Sequence, residues 1–363
     1  MKAGIANLAH SVYTEFRNQG EDVFLLGPEG AEITDATRQF ALYRRPSKMG
    51  FQWHIHVANS LTLRRIIREK RVGRLLFMDA AARCYPLPWV PKVFTAVYVN
   101  GTELIRGSFL AELASGRFHL LSRAYRISQE VLCNSKATRE LYRCHFPDKP
   151  ARVLYPCFDE KRVYTGPPAD DSPYENSSNT LKFLTVSRLA QRKGHEQVMT
   201  LLAHIRHRLP PFRYYIVGKG PYRGYLEAVA ARLDLRDHVT YTGAIPDEQL
   251  KAYYRHADIF IMLSQTASDG TEGFGLTFVE ASASGAVVVG SECGGVVEAI
   301  NPEVSGIILP NTSLNAAAES LLALSLDSAR RDRMRQTGPA WTRENFSCGK
   351  FYQRWKEIVG EVV

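Results

Sequence analysis

Short apolar runs alternate with amphipathic stretches along the second half of the chain. Runs of strand length occur at residues 181–187, 239–242 and 258–263, and a further run ends at Val217. Each run ends in a turn, and a helical pattern such as that of residues 195–209 follows the turn. This alternation predicts an open parallel sheet with helices on its faces, whose ligands bind at the carboxyl ends of the strands.

The first half of the chain repeats the alternation less regularly. Helical and strand-like patterns occur in turn at residues 5–20, 23–26, 59–70, 75–78 and 93–99 and from Ser135 onward. Because the pattern opens directly with a helix, we expect the first strand of this half to be missing or displaced. The two halves together predict two Rossmann-like α/β domains.

A segment rich in turn-forming residues separates the two halves. Residues 163–179 contain several Pro, Gly, Ser, Asn and Asp residues and few apolar side chains, as is typical of linkers. We therefore expect an N-terminal domain of residues 1–160, a linker of residues 161–180 and a second domain of residues 181–325. The last segment, residues 326–363, has a helical pattern rich in aromatic residues, which we interpret as packing residues.

The composition is typical of a two-domain enzyme, since 363 residues are enough for a substantial core in each half. No apolar run approaches the roughly 18 to 20 residues that span a bilayer, and the N-terminus lacks a secretory signal pattern, so we expect a cytoplasmic location. Six cysteines without paired spacing favour reduced thiols. The only close histidine pair, His54 and His56, is interpreted as structural rather than metal-binding.

The basic excess of the chain lies entirely in its first half. Residues 1–150 hold 22 basic and 13 acidic side chains, whereas the rest holds 24 of each. The excess is densest at the end of one predicted helix, where it includes Arg64, Arg65, Arg68 and Arg71. Such a patch can bind anionic lipid headgroups or an anionic acceptor at the inner face of a membrane, or it can be a solvated helix face. Nucleic acid is a poorer fit, because no recognised binding module accompanies the charge.

Two carboxylates flank a glycine-rich turn near the end of the second half. Glu272 and Glu280 are eight positions apart, and the stretch between them reads Gly-Phe-Gly-Leu-Thr-Phe-Val. Glycines let backbone N–H groups approach a ligand closely, and the first turn of the following helix offers unpaired N–H donors to an anion. Taken alone, the motif is compatible with a sugar-nucleotide site or with a surface turn.

Two cations follow the first strand of the same half. Arg188 and Lys193 lie five residues apart at a strand-to-helix turn, where they can bind a diphosphate or form a solvated charged loop. Because the carboxyl ends of parallel strands share one edge of a sheet, we expect these cations and the two carboxylates at the same edge.

Residues of about 181 to 310 resemble the donor domain of the retaining family-4 glycosyltransferases of the GT-B fold. The matching motifs occur in the order and at the spacing of that family: Ser187-Arg188-Leu189 with Lys193-Gly194, Gly218-Lys-Gly-Pro221, Glu272-x7-Glu280 with Ala281 and Gly285, and Gly294-Gly295-x-x-Glu298. The resemblance implies two Rossmann-like parallel-sheet domains that face each other across a cleft. It also implies a C-terminal helical segment that packs across both domains and returns to the first.

The resemblance also assigns roles to individual residues. It implies that Arg188 and Lys193 bind the donor diphosphate and that Glu280 hydrogen-bonds the ribose hydroxyls. Glu272, with the backbone amides of residues 273–276, would hold the transferred sugar and the β-phosphate. The base would lie near Ile245. The donor-binding set is completed by Gly4, Gly218, Gly273, Phe274, Gly275, Leu276 and Thr277.

The chemistry implied is transfer from a UDP- or GDP-sugar to a saccharide or lipid-linked acceptor with retention of anomeric configuration. Neither a metal nor another cofactor is expected, because the sequence has no D-x-D motif. The charge of the leaving group would fall instead to Arg188, Lys193 and a helix N-terminus. Polysaccharide or glycolipid biosynthesis is the setting that the family suggests.

The first half departs from the family pattern. Members usually begin with a strand and a Gly-Gly loop, of which Gly4 would be the remnant. Where relatives often have His-Gly, this chain has Asn100-Gly101, so the catalytic position would be held by a side chain that does not titrate. Pro156-Cys-Phe-Asp159 stands where the family usually has Asn-Gly-Val-Asp, which leaves Asp159 as the match.

Two other functions remain open on the same fold. One is a nucleotide-sugar 2-epimerase, which would release product without an acceptor. A phosphorylase of the same fold is disfavoured, because it would need a pyridoxal-phosphate lysine for which no motif is seen. The other is a non-catalytic subunit that binds a sugar nucleotide without turnover.

Overall fold

The computed structural model describes residues 4–28, 39–43, 53–78, 93–101, 104, 117–166, 172–174, 180–267 and 270–360. The chain forms two compact units. The C-terminal unit consists of the described part of Pro156–Lys350, and the N-terminal unit consists of the described parts of Ala3–Tyr155 and Phe351–Val363. The predicted linker is described only in part, since residues 167–171 and 175–179 lie outside these ranges.

The N-terminal unit begins with a helix and has two parallel sheets among its described residues. Its helices are α1 (Gly4–Asn18), α2 (Trp53–Glu69), α3 (Arg117–Ile127) and α4 (Lys136–His145). Its strands are β1 (Leu25–Pro28), β2 (Gln39–Tyr43), β3 (Arg74–Phe77), β4 (Phe94–Val99), β5 (Glu130–Cys133) and β6 (Arg152–Val153). Strands β1 and β2 pair with each other, and β3 to β6 form the second sheet in chain order. The first described element is therefore the helix that the sequence pattern predicts.

The C-terminal unit is built on one six-stranded parallel sheet. Its strands are β7 (Leu181–Val186), β8 (Phe212–Val217), β9 (Val239–Gly243), β10 (Ile259–Met262), β11 (Val287–Ser291) and β12 (Gly306–Leu309). The helices between them are α5 (His195–Ile205), α6 (Arg223–Arg232), α7 (Asp247–His256), α8 (Leu276–Ala283) and the short α9 (Val296–Ala299). They are followed by α10 (Leu314–Leu326) and α11 (Ser328–Phe346).

The strand order of this sheet is β12-β11-β10-β7-β8-β9. From β7 the chain proceeds outward through β8 and β9, then returns to the other side of β7 for β10 and continues outward to β12. The order therefore reverses between β7 and β10, and ligands of open α/β sheets bind at the carboxyl ends of the strands at such a point. Buried side chains such as Phe183, Ile216 and Ile261 fix this sheet against its helices.

The last helix, α12 (Cys348–Gly360), packs on α1 within the N-terminal unit. The ring of Phe16 lies 6.4, 5.0 and 6.3 Å from those of Phe351, Tyr352 and Trp355, and the Tyr352 hydroxyl donates to Glu21 at 2.6 Å. All three C-terminal rings are buried, so the interpretation of these aromatic residues as packing residues is confirmed.

Candidate functional site

The candidate site lies at the carboxyl ends of β7 and β10, where the strand order reverses. The loop after β7 carries Arg188, Arg192 and Lys193, and the loop after β10 carries Glu272. The sequence predicts that these loops meet at one edge of the sheet, and the contacts between them confirm it.

Glu272 is held by cations from the neighbouring loop. Its Oε2 accepts from Lys193 Nζ at 2.5 Å, from Arg192 at 3.5 Å and from the Ser264 hydroxyl at 3.4 Å. Its side chain is 13% exposed. Burial alone would raise the pKa of Glu272, but Lys193 and Arg192 outweigh it and hold the pKa below its ordinary value. Glu272 is therefore a carboxylate at neutral pH. All these bonds are made by Oε2, and none from the described residues reaches Oε1.

The backbone of Gly294 and Gly295 packs directly against the backbone of Glu272 and Gly273. A Cβ at Gly294 would lie 2.2 Å from the Glu272 carbonyl oxygen, and one at Gly295 would lie 2.2 Å from that of Gly273. The amide of Gly295 donates to the Glu272 carbonyl at 2.9 Å. Only glycine fits such an approach, so this pair fixes the position of the acidic loop.

The acidic loop leads into α8 through a left-handed glycine. Gly275 has φ +92° and forms the N-cap of the helix. Leu276 and Thr277, both half-buried, are its first residues, whose backbone N–H groups lack partners within the helix. Phe274 is buried and its ring lies 5.2 Å from that of Phe346. Its side chain therefore packs in the interior of the unit.

Arg188 is exposed and forms no ion pair with the part of the chain that the structure describes. It lies beside the turn that follows β8, because a Cβ at Gly218, whose φ is +144°, would lie 1.8 Å from the Ser187 carbonyl oxygen. That turn also carries Lys219, which is exposed. Ile245, half-buried, follows the next strand, β9. The predicted residues Arg188, Gly218 and Ile245 thus follow three adjacent strands.

Glu280 lies inside the unit in a cluster of polar side chains. Its Oε1 accepts from Arg162 at 2.6 Å and its Oε2 from the Tyr254 hydroxyl at 2.9 Å. Arg162 Nε lies 3.4 Å from Asp247 Oδ1. Glu280 and Arg162 are only 2% and 6% exposed. Arg162 belongs to a short 3-10 helix, Glu160–Arg162, which is capped by the side chain of Asp159.

Burial and mutual attraction shift the pKa values of Glu280 and Arg162. Burial raises the pKa of Glu280 to about 7, against the opposing influence of Arg162. Burial also acts to lower the pKa of Arg162, but Glu280 and neighbouring groups outweigh it and raise that pKa. Arg162 is therefore the permanent charge of the pair, and Glu280 titrates near neutrality.

A buried histidine connects the loop after β7 to its helix. His195 begins α5, is 1% exposed, and has its Nε2 3.1 Å from the Ser187 hydroxyl. Burial and the nearby Lys193 lower the pKa of His195 to about 4, so the ring is neutral at pH 7. It holds Ser187 in place, and its Nδ1 is buried without a partner among the described residues.

The predicted residues of the N-terminal unit lie in separate places. Asn100 follows β4, donates to the Met78 carbonyl at 3.2 Å, and accepts from Asn134 through its backbone oxygen at 3.1 Å. Gly4 begins α1 and has open space around the position of a Cβ.

The predicted basic patch is smaller than expected. Arg65, Arg68 and Arg71 are exposed, but Arg64 is half-buried and its Nε is fully buried. The cause is helical periodicity, since Arg64 lies on the same face of α2 as the buried Ser60 and Ile67.

Within the described residues, no group of three or more His, Cys, Asp or Glu side chains could hold a metal ion. The side chains of His54 and His56 lie outside what the structure describes. Of the helices described, none is long and apolar enough to cross a membrane.

Sequence reasoning missed Arg162, Arg192 and Tyr254. Arg192 could have been found, because it precedes Lys193 in the predicted cationic loop. Arg162 lies 118 residues from Glu280 in what the sequence pattern assigns to a linker, so no local signal pointed to it.

Residues 169–341 match the family of glycosyl transferases group 1. A GDP-mannose-dependent alpha-(1-6)-phosphatidylinositol monomannoside mannosyltransferase of Mycobacterium tuberculosis is 35% identical over 158 residues. The match covers 43% of this chain and 41% of that protein, so the chain spans less than half the length of this relative. A GDP-mannose-dependent monoacylated alpha-(1-6)-phosphatidylinositol monomannoside mannosyltransferase of Corynebacterium glutamicum is 28% identical over 307 residues, which are 82% of this chain and 76% of that protein.

Solved structures share the fold over nearly the whole chain. Sucrose-phosphate synthase from Thermosynechococcus elongatus superposes with a TM-score of 0.78 at 18% identity, covering 99% of this chain and 94% of that one. This likeness confirms the predicted α/β class of two parallel-sheet domains of the GT-B type.

The buried pair predicts a pH-dependent loss of stability in Arg162→Met. At pH 8 the substitution leaves Glu280 without its cation, and we expect the free energy of unfolding to fall by about 3–5 kcal/mol. The folded-state pKa of Glu280 is raised above the ordinary 4.5, so its protonated form is the one favoured by folding. At pH 5.5 Glu280 carries a proton and needs no cation, and the loss should be much smaller. Urea titrations at both pH values measure this difference.

Arg208→Met is the matched control, since Arg208 pairs with Glu319 at the exposed surface, where solvent screens the charges and the loss should be small at both pH values. The double variant Arg162→Met/Glu280→Gln should lose less than the sum of the single losses. Equal losses for Arg162→Met at pH 8 and pH 5.5 would contradict the assignment of Glu280 as its titrating partner.

Proposed function

We propose that this chain, whose residues 169–341 belong to the glycosyl transferases group 1, is a retaining glycosyltransferase that moves a sugar from a UDP- or GDP-sugar to an acceptor hydroxyl. The observation that carries the proposal is the meeting of Glu272 with Lys193 and Arg192 at the switch point of the sheet. An ionised carboxylate for a sugar and several cations for a diphosphate are thus available at one place.

The donor is bound by residues that follow β7, β8, β9 and β10. Arg188 is exposed and without an ion pair among the described residues, so it can bind a diphosphate without breaking an ion pair with another of these residues. The free N–H groups at the start of α8 add a partial positive charge for the β-phosphate. The base lies near Ile245. Glu280 contacts the ribose hydroxyls through the lone pairs that Arg162 and Tyr254 leave free.

The transfer step requires stabilisation of two developing charges. Negative charge grows on the departing diphosphate and is met by Arg188, Lys193 and the α8 N-terminus, without a metal ion. Positive charge grows on the sugar and is met by Glu272, which is ionised because Lys193 and Arg192 hold its pKa low. The acceptor hydroxyl attacks from the face that the diphosphate leaves, and a departing phosphate oxygen accepts its proton.

The setting is polysaccharide or glycolipid biosynthesis with a saccharide or lipid-linked acceptor. The names of the mycobacterial and corynebacterial relatives describe GDP-mannose-dependent mannosyltransferases that act on a phosphatidylinositol glycolipid. They favour a GDP-sugar and a lipid-linked acceptor for this chain.

The exposed part of the basic patch is proposed as a contact with an anionic membrane surface. Arg65, Arg68 and Arg71 lie with Lys70 at the end of α2, and Leu61 on that helix is 52% exposed. Leu61, Arg65 and Arg68 share one face at i, i+4 and i+7. An apolar residue beside clustered cations is typical of interfacial helices.

Glu272→Gln is expected to lower kcat by about 10² or more while the dissociation constant of the donor changes little. The substitution keeps the shape but removes the charge that opposes positive charge on the sugar, and such an interaction is stronger in the transition state. Turnover of radiolabelled UDP- and GDP-sugars with acceptor measures kcat, and calorimetry measures binding.

Ser264→Ala is the control, because it removes only the 3.4 Å contact with Glu272 and should cost little activity. A Glu272→Gln protein that retains turnover within about threefold of the wild type would rule out this role for Glu272. Release of a modified sugar without acceptor would identify an epimerase, and binding without turnover in the wild type would identify a non-catalytic subunit.

A nucleoside diphosphate alone is expected to raise the melting temperature. UDP or GDP at about a hundred times its dissociation constant should stabilise the folded state by about 2.7 kcal/mol. Arg188→Ala should remove most of the shift, because it deletes a charge-assisted phosphate contact. Thermal unfolding of both proteins with each nucleotide, in the presence and absence of a chelator, measures the effect.

Arg208→Ala provides a control at the opposite end of α5 and should keep the full shift, as should Asn100→Ala. A shift that persists in Arg188→Ala and disappears in Asn100→Ala would place the nucleotide in the N-terminal unit. A shift that chelator abolishes and Mg²⁺ restores would contradict metal-independent binding.

The triple variant Arg65→Gln/Arg68→Gln/Arg71→Gln is expected to bind anionic vesicles about 10²-fold more weakly, since each basic residue near the surface contributes about 1 kcal/mol. Wild-type binding should weaken as salt rises, because exposed charges are screened over about 8 Å at physiological ionic strength. Co-sedimentation with vesicles of neutral lipid and with vesicles of neutral lipid mixed with phosphatidylserine, an anionic lipid of the cytoplasmic leaflet, measures both effects. The control variant Arg139→Gln/Arg143→Gln, with both changes on α4, should bind as the wild type does. If the wild type does not bind anionic vesicles even at low salt, the basic residues of α2 form only a solvated helix face.

A further inference from the structure

Two cysteines lie next to the two places where the chain passes between its units. The chain passes from the N-terminal to the C-terminal unit between Tyr155 and Pro156, and it returns to the N-terminal unit between Lys350 and Phe351. Cys157 follows the first passage by one residue, and Cys348 precedes the second by two. Both cysteines belong to the C-terminal unit.

The two thiols are in direct contact in the interior of that unit. Their sulfur atoms are 2.6 Å apart, and the Cys348 thiol also donates to the Phe158 carbonyl at 3.4 Å. A backbone bond from the Phe158 amide to the Phe346 carbonyl, 3.3 Å long, aligns the two segments beside the sulfur atoms. Cys157 is 1% and Cys348 7% exposed.

This pairing is invisible in the sequence, because 191 residues separate the two cysteines. The other described cysteines are arranged differently. Cys133 and Cys293 are buried and Cys144 is exposed, and the recorded sulfur contacts of Cys293 are to the hydroxyls of Thr266 and Thr271.

We propose that Cys157 and Cys348 form an oxidisable dithiol, whose disulfide ties together the two segments that lead to the chain passages. The oxidant is a peroxide. One thiol loses its proton, and its thiolate attacks the O–O bond of hydrogen peroxide and becomes a sulfenic acid; the hydroxide that leaves takes up the released proton and departs as water. The second thiol then displaces a second water from the sulfenic acid to form the S–S bond. Two thiols and one peroxide thus give one disulfide and two waters. Cys348, the more exposed of the two, reacts first and Cys157 resolves the sulfenic acid.

The disulfide has a defined structural consequence. It closes a loop of about 190 residues that contains the whole six-stranded sheet, and a cross-link restrains the unfolded chain more strongly as the loop lengthens. It also fixes the first turn of α12 to residues 157–158. The oxidised protein is therefore expected to be more resistant to unfolding than the reduced protein.

Peptide mapping tests the proposal directly on the wild-type protein. Trypsin places Cys157 in the peptide of residues 153–161 and Cys348 in that of residues 344–350, each with one cysteine. After brief treatment with hydrogen peroxide and alkylation of free thiols under denaturing conditions, mass spectrometry of the monomer fraction should find these two peptides linked. Dithiothreitol should separate them. Two alkylated, unlinked peptides, or a link found only in the dimer fraction, would overturn the proposal.

Variants provide the matched controls. Cys157→Ser should leave a sulfenic acid at Cys348 that dimedone traps, whereas Cys133→Ser, which removes another buried thiol, should leave the linked peptides unchanged. Peroxide should raise the melting temperature of the wild type and of Cys133→Ser by at least about 5 °C and should not raise that of Cys157→Ser or Cys348→Ser. An equal rise in all four proteins would show that the stabilisation does not come from this pair. None of these readouts needs a sugar nucleotide, so they are independent of the proposed function.

Discussion

The removal of the Glu280 carboxylate from water is the constraint on which much of the C-terminal unit depends. A buried charge is costly unless a cation and hydrogen bonds compensate it. For Glu280 the compensation comes from Arg162 and Tyr254, which lie in separate elements. The segment that begins the unit, residues 156–162, must therefore meet α7 and α8 at one point, beside the loop that carries Glu272.

The two glutamates of the same motif are placed in opposite electrostatic environments. Glu272 has two cations within 3.5 Å and its pKa is lowered, whereas Glu280 has one close cation, deeper burial and a pKa of about 7. Different environments assign different chemical roles to similar carboxyl groups. Under the proposed function, a Glu272 that is ionised at neutral pH suits the sugar, where positive charge develops. Glu280 can both accept from and donate to ribose hydroxyls, since it exchanges its proton near neutrality.

The part of the site formed by successive loops of the sheet could be predicted from the sequence. Strand–helix alternation is enough to place the ends of β7 and β10 at one edge, and from this the meeting of Lys193 with Glu272 follows. Contacts that depend on distant segments could not be predicted in this way. Arg162 reaches Glu280 from a segment that looks like a linker, and Cys348 reaches Cys157 across the whole unit. The burial of Arg64 has another origin, because a run of basic residues along the sequence spreads over different faces of the helix that carries it.

Asp159 organises the short segment that carries Arg162. Asp159 accepts from the amide of Lys161 at 3.0 Å and so caps the 3-10 helix that ends with Arg162. Its charge also raises the pKa of Arg162. Cys157, two residues before Asp159, has its sulfur 2.6 Å from that of Cys348. The segment therefore serves two purposes with nearby residues: Asp159 caps the turn that carries Arg162, the cation that compensates Glu280, and Cys157 contacts Cys348 near the point where the chain leaves the unit.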